Sequence, residues 1–154
     1  MAEEDIKIIT RNRRAWHDYT IHETYEAGIV LRGSEVKSLR EGKASLSEAY
    51  ARVVDDEVLL VGSYIKPYKH TGEHDQPDPR RDRKLLLHKR EIRDLKKQTD
   101  IKGNTIVPLS MYFRDGYAKV EIGIGTGKRK HDKRQDMKEK DARREIDRAM
   151  KRYN

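Results

Sequence analysis

The chain has 154 residues, 40% charged and 34% hydrophobic, enough for one compact domain with a small core and a tail and too short for separate cofactor and substrate domains. No apolar run approaches the roughly 18 residues of a membrane span, MAEEDIKIIT lacks the basic and apolar stretches of a leader, and zero Cys excludes disulfide scaffolds, thiolate zinc sites and cysteine nucleophiles, so a cytoplasmic protein is expected. A formal charge of +8 makes a polyanion the default partner.

Residues 1–11 are expected to be a flexible N-terminus. The segment Arg11-Asn12-Arg13-Arg14-Ala15-Trp16-His17-Asp18-Tyr19 combines guanidinium groups for phosphate, rings for stacking and an amide for a base edge, although a basic strand end with a core Trp accounts for it equally well. Asp18 to Glu23 and Gly28 to Leu31 read as extended chain, on which the neighbours His17 and Asp18 point to opposite faces and make no acid/base pair. Ser34 can N-cap a helix over EVKSLRE that stops at Gly42. Tyr50 to Val54 and Val58 to Ile65 form a hairpin around Asp55-Asp56.

Lys66 to Arg83, with Pro67, Gly72, Pro77 and Pro79, has loop composition. Inside it, His70-Thr71-Gly72-Glu73-His74 matches the H-x-x-E-H spacing of one metalloprotease class, but Gly72 and the prolines deny it the helix that spacing requires. No metal site is expected. A helix over Lys89 to Gln98 places Ile92 and Leu95 on one face, and Thr105 to Arg114 with Tyr117 to Ile124 form the clearest hairpin, around Asp115-Gly116. Ala118, Val120, Ile122 and Ile124 alternate there with Lys119, Glu121 and Gly123, which gives one buried and one wet face. About five or six strands result.

Gly123 to Lys128 fails as a phosphate loop, because Ile122 stands where its first Gly belongs and Arg129 where a Ser or Thr would hold magnesium. The segment is read instead as a flexible exit into the tail. Lys128 to Asn154 hold 12 basic and 6 acidic residues, so the tail carries +6 of the charge. Ala142, Ile146, Ala149/Met150 and Tyr153 recur at helical spacing, but the stripe is thin, and the tail is expected to be disordered when free and to fold on a surface. With carboxylates scattered among cations and no triad, no catalytic residue, cofactor or enzymatic activity is expected.

Several blocks in one order, Asn12-Arg13-Arg14-Ala15-Trp16-His17-Asp18-Tyr19, Tyr25-Glu26-Ala27-Gly28-Ile29, Gly33 to Lys43, Asp78 to His88 and Gly127 to Arg134, closely resemble the SsrA-binding protein (SmpB) family. The resemblance implies a mainly β fold, an OB-fold-like antiparallel barrel of about six strands over residues 12–127 with two or three short helices, and a basic tail over 128–154 that becomes a helix on the ribosome. It further implies that the chain binds transfer-messenger RNA (tmRNA) and delivers it to stalled ribosomes for trans-translation. The implied partners are tmRNA, the decoding centre and message channel of the small subunit, and the elongation factor that carries charged tmRNA. A monomer with no membrane partner is expected.

By position, Asn12, Glu26 and Leu86 match family residues that hold the tRNA-like domain at its elbow, with Arg13, Arg14, Lys37, Arg83 and Lys84 on phosphates and His88 where members can carry Asn. Lys128, Arg129, Lys130, His131, Asp132, Lys133 and Arg134 would sit at the decoding centre, His131 stacking on a base. Arg143, Arg144, Arg148, Lys151 and Arg152 would enter the message channel, anchored by Ile146, Met150 and Tyr153, since Ala142 stands near where some members carry a large aromatic. Two other classes compete: a general RNA chaperone or ribosome-associated single-strand RNA binder, and a membrane-surface protein whose basic tail lacks the Trp, Phe and Leu such helices use.

Overall fold

The computed structural model describes residues 5–69, 76–128, 137–146 and 148. In chain order these form β1 (Ile6–Arg11), α1 (Arg13–Asp18), β2 (Tyr19–Ile29), α2 (Gly33–Arg40), β3 (Ala44–Ser45), β4 (Tyr50–Val54), β5 (Glu57–Val61), β6 (Tyr64–Ile65), β7 (Arg83–Leu86), α3 (Lys89–Thr99), β8 (Asn104–Arg114) and β9 (Tyr117–Gly127), with a further helix over 137–146. Six strands close an antiparallel barrel in the order β8-β9-β2-β7-β5-β4, sealed where Ala51 of β4 meets Ile106 of β8. The long strand β8 thus carries β9 along one edge, and β4 and then β1 along the other. This is the OB-like barrel of about six strands that the resemblance implies, with β3 and β6 paired separately.

Both predicted hairpins are present, although the second strand of the first stops at Val61, where Gly62 at φ +80° breaks it, and Tyr64–Ile65, expected to continue it, pair with β3 instead. The turns explain both hairpins. Asp55 and Asp56 have φ of 47° and 63°, and Asp115 and Gly116 of 50° and 85°. Two successive positive φ values match the right-handed twist of the flanking strands, and Asp and Gly tolerate them best. Alternation then fills the barrel: Tyr25, Ala27 and Ile29 from β2, Val58 and Leu60 from β5, and Val120, Ile122 and Ile124 from β9 all lie in the core. α3 closes it with Leu95, fully buried, and Ile92 packed beside it, the face its spacing predicts.

Four expectations are corrected. The N-terminus, expected to be flexible, supplies β1 from Ile6 onward, paired with β8 from Ile6↔Arg114 to Arg11↔Ser110. His17 and Asp18, expected on extended chain, lie in the helix Arg13–Asp18; Ala15, its one buried residue, packs on Val107 and Leu109 outside the barrel wall, a single anchor too sparse to register as periodicity. Ser34 lies inside α2 instead of capping it: Arg32 is the N-cap, its N–H donating to the Glu35 carboxylate at 2.9 Å, while Gly42, at φ +72°, follows the helix as its stop.

Finally, Gly123 to Gly127 belong to β9, paired with β2 as far as Gly127 and with β8 as far as Thr126, and are no flexible exit. A Cβ on Gly123 would stand 2.9 Å from Ile21 and 3.1 Å from Leu109, and one on Gly125 3.1 Å from Tyr19. These glycines let Tyr19 and Ile21 fold over the outer face of β9 onto the cluster beneath α1. The helix available in the tail is present over 137–146. All of its residues are exposed, Met137 and Ile146 included, the condition under which a helix of this length is marginal in water.

Candidate nucleic-acid interface

The site is built on the outer face of β7, β2, β9 and β8. Gly28 pairs with Leu86 on one side and Lys119 on the other, and Glu26, two residues earlier on the same face, lies opposite Glu121. Leu86 is half exposed, and its Cβ lies 3.3 Å from where a Gly28 Cβ would stand. Together Glu26, Leu86, His88 and Lys119 line a depression of about 390 Å³. Three residues expected at the RNA surface are therefore brought together by register.

Glu26 is tied down within this face. Its Oε2 accepts hydrogen bonds from the Tyr112 hydroxyl and from Arg114 Nε, and Arg114 Nη2 lies 2.9 Å away. Partial burial pushes its pKa up, but the bonds from Tyr112 and Arg114 and the charges of Arg114 and Lys119 outweigh it, so the carboxyl is held below its ordinary value. Burial and the carboxylate push the Tyr112 phenol up to about 12, which keeps it a donor.

The other expected residues divide. Arg13 and Arg14 are exposed on α1 beside Trp16, which is 52% exposed and so is not a core Trp. A smaller depression of about 170 Å³, lined by Arg13, Trp16 and Glu121, adjoins the Glu26 face through Glu121. Lys84 alternates outward beside Leu86 and pairs with Glu57 at 3.0 Å. Lys37 is exposed on α2, its ammonium 5.5 Å over the Tyr68 ring, and is not part of this sheet face.

Two are corrected outright. Asn12 is 7% exposed and its Nδ2 donates to the carbonyls of Pro108 at 2.9 Å and Leu46 at 3.3 Å, so its amide nitrogen ties the start of α1 to the barrel instead of serving a base edge, while the residue borders the Arg13 and Trp16 depression. Asn12→Ala is accordingly expected to destabilise the fold by about 1–3 kcal/mol, seen as a lower denaturant midpoint, because it strands buried carbonyls. Arg83 is wholly buried and cannot reach a phosphate. It binds Glu35 at 2.7 Å, the Ser63 carbonyl and hydroxyl, and the Pro79 carbonyl. The alternation of β7 carries the signal: Leu85 points inward, so Arg83 does too and needs a buried partner.

At the root of the tail, the Lys128 backbone N–H donates to the Asp18 carbonyl at 2.8 Å and its ammonium to the Trp16 carbonyl at 3.0 Å, fastening the end of β9 to the C-terminal turn of α1. Also contrary to the extended reading, His17 and Asp18 share a hydrogen bond of 3.0 Å. Arg143, Arg144, Ile146 and Arg148 are exposed. Arg129, Lys130, His131, Asp132, Lys133, Arg134, Met150, Lys151, Arg152 and Tyr153 lie outside the described residues, as does His70 to His74. Sequence reading missed Tyr112, Arg114 and Lys119, although the Asp115-Gly116 turn alone sets Tyr112 opposite Lys119.

A closed OB-like barrel with cations, an exposed Leu and an exposed Trp on one outer surface defines a nucleic-acid-binding protein. The family model for SmpB protein matches residues 9–152, and the chain belongs to that family. It is 52% identical over 145 residues to the SsrA-binding protein of Chloroflexus aurantiacus, covering 94% of this chain and 91% of that one. The SsrA-binding protein of Listeria welshimeri is 50% identical over 151 residues, 98% of this chain and 97% of its own. A solved structure described as "tmRNA-SmpB: a journey to the center of the bacterial ribosome" holds a chain 52% identical, with a TM-score of 0.66 over 82% of this chain and 92% of that one.

Proposed function

We propose that this chain binds tmRNA and brings it to stalled ribosomes for trans-translation. The observation that carries the reading is likeness to SsrA-binding proteins at 50–52% identity along nearly the whole chain, supported by the gathering of Glu26, Leu86 and His88 in one depression. The barrel offers the tRNA-like domain an apolar contact at Leu86, a ring at His88 and cations at Arg13, Arg14, Lys84 and Lys119 around it. Lys128, fastened to α1, starts the basic segment that reaches the decoding centre, and the helix carrying Arg143, Arg144 and Arg148 follows the message channel by phosphate contact. The protein acts as a monomer in the cytoplasm, handing charged tmRNA on with its elongation factor, and performs no chemical step.

Competition binding tests this. In ~0.2 M salt, where non-specific phosphate attraction is weakened, tmRNA should hold the protein against equal concentrations of tRNA or unstructured RNA. Displacement by either at parity would favour a general RNA chaperone, for which the exposed Trp16 beside Arg13 is suited.

A further inference from the structure

We infer that Arg114, gripped by Glu26 and Tyr112, takes an RNA phosphate on this face with Lys119 beside it, and that Glu26 is a positioning residue for Arg114 rather than a direct reader of the RNA. The inference rests on the tmRNA reading above and names the chemistry of its barrel contact.

A carboxylate turned bare toward a polyanion is repelled at contact distance. Glu26, itself 35% exposed, is paired instead: one oxygen accepts from the Tyr112 hydroxyl and from Arg114 Nε at 2.9 Å, with Arg114 Nη2 at 2.9 Å. Tyr112 is itself fixed in the wall, 6% exposed, and its ring centroid lies 5.8 Å from the guanidinium carbon. The guanidinium is thereby held by a carboxylate on one side and a ring on another, yet its side chain stays 27% exposed. An arginine ordered before binding loses less freedom on meeting a phosphate, and its planar fork suits that ligand.

Register places the second cation. Lys119 lies opposite Tyr112 across β8 and β9 and opposite Gly28 across β9 and β2, so it lines the Leu86 depression while standing next to the Glu26–Arg114 pair. The result is a phosphate seat of two cations bordering an apolar contact for base or ribose. The paired acid keeps the local charge low enough to let that seat discriminate by geometry rather than by raw attraction.

The test uses the full chain and the tRNA-like domain of tmRNA, with affinity measured by fluorescence anisotropy across about 0.05–0.3 M salt and thermal unfolding run on each variant. Arg114→Met should lower affinity about tenfold and reduce the slope of log affinity against log salt by about 0.7–0.9, the value of one phosphate contact. Arg114→Lys should restore the slope but only part of the affinity. Glu26→Gln should weaken binding in the unmodified protein and by less than about twofold once Arg114 is Met, since there is nothing left to position. An unchanged slope in Arg114→Met, or an equal cost of Glu26→Gln in both backgrounds, overturns the inference. If Arg114→Met fails to fold, the neutral polar variant Arg114→Gln supplies both the slope and the second background, with the same two outcomes deciding. Equal affinity of the unmodified protein for unstructured RNA would instead overturn the tmRNA reading, and the slope change would still decide the phosphate contact.

Discussion

Glu35→Ala is expected to destabilise the protein by about 3–5 kcal/mol, the cost of leaving a buried charge without its counterion. Glu35 is 3% exposed and Arg83 not at all. The Glu35 carboxylate binds Arg83 at 2.7 Å, is capped by Arg81 through a second ion pair, and accepts the Arg32 backbone N–H. These contacts join α2 to β7 and to the chain entering it at Pro79, so their loss exposes an uncompensated guanidinium at the seam of three segments. Denaturant unfolding measures it. Arg83→Met combined with Glu35→Leu should cost clearly less than Glu35→Ala alone, because removing both charges removes the desolvation burden along with the pairing. A single-variant loss under about 1 kcal/mol would show that water reaches the pair.

The same cluster sets an acid limit. Burial raises the Glu35 pKa, but bonds from Arg81, the Arg32 N–H and Arg83 outweigh it, and the carboxyl lies below its ordinary 4.5. A folded value below the unfolded one means that the unfolded chain binds the proton more readily. The stabilisation is therefore complete above about pH 4.5 and is lost as pH falls through the folded value. Unfolding followed from pH 7 to pH 3 should show this loss, and Glu35→Gln should flatten that part of the profile.

Most of the barrel was legible because its hairpins are written locally. Asp55-Asp56 and Asp115-Gly116 specify turns, the turns specify register, and register with alternation specifies the inner face. Closure was not legible, since the seam at Ala51↔Ile106 joins residues far apart in sequence with no local signal on either. The roles of cations were the other loss. Composition treats Arg83, Lys84 and Arg114 alike, whereas burial makes Arg83 a core ion, and pairing makes Arg114 an ordered surface group. Likewise the glycines of β9 read as slack because a missing side chain is silent about the neighbour that occupies its place.

Ending the chain at Lys128 should abolish tagging on stalled ribosomes while leaving tmRNA affinity within about twofold, because the barrel face and the Lys128 fastening on α1 both survive. That variant loses 11 basic and 6 acidic residues, yet charge alone cannot be what the tail contributes, since phosphate attraction would bind it to any ribosome at low salt. On the proposed reading discrimination is steric: the basic segment after Lys128 would tolerate a message ending at the decoding centre, whereas the helix beyond it would need an empty channel. Residues 137–146 alone span about 15 Å at 1.5 Å per residue, and a helix with its side chains is about 10–12 Å across, a bulk that would compete with RNA for one channel. Ile146→Pro isolates the helix from the charge, because proline removes a backbone hydrogen bond and costs about 3 kcal/mol in a segment that is marginal on its own. Tagging should therefore be lost with Ile146→Pro, and with Met150→Pro, at unchanged net charge and unchanged tmRNA binding. The assay compares ribosomes whose message ends at the stalled codon with ribosomes carrying a long stretch beyond it, the unmodified protein tagging only the first. Equal tagging of both, or full activity of the proline variants, would mean that the tail discriminates by something other than a helix filling an empty channel.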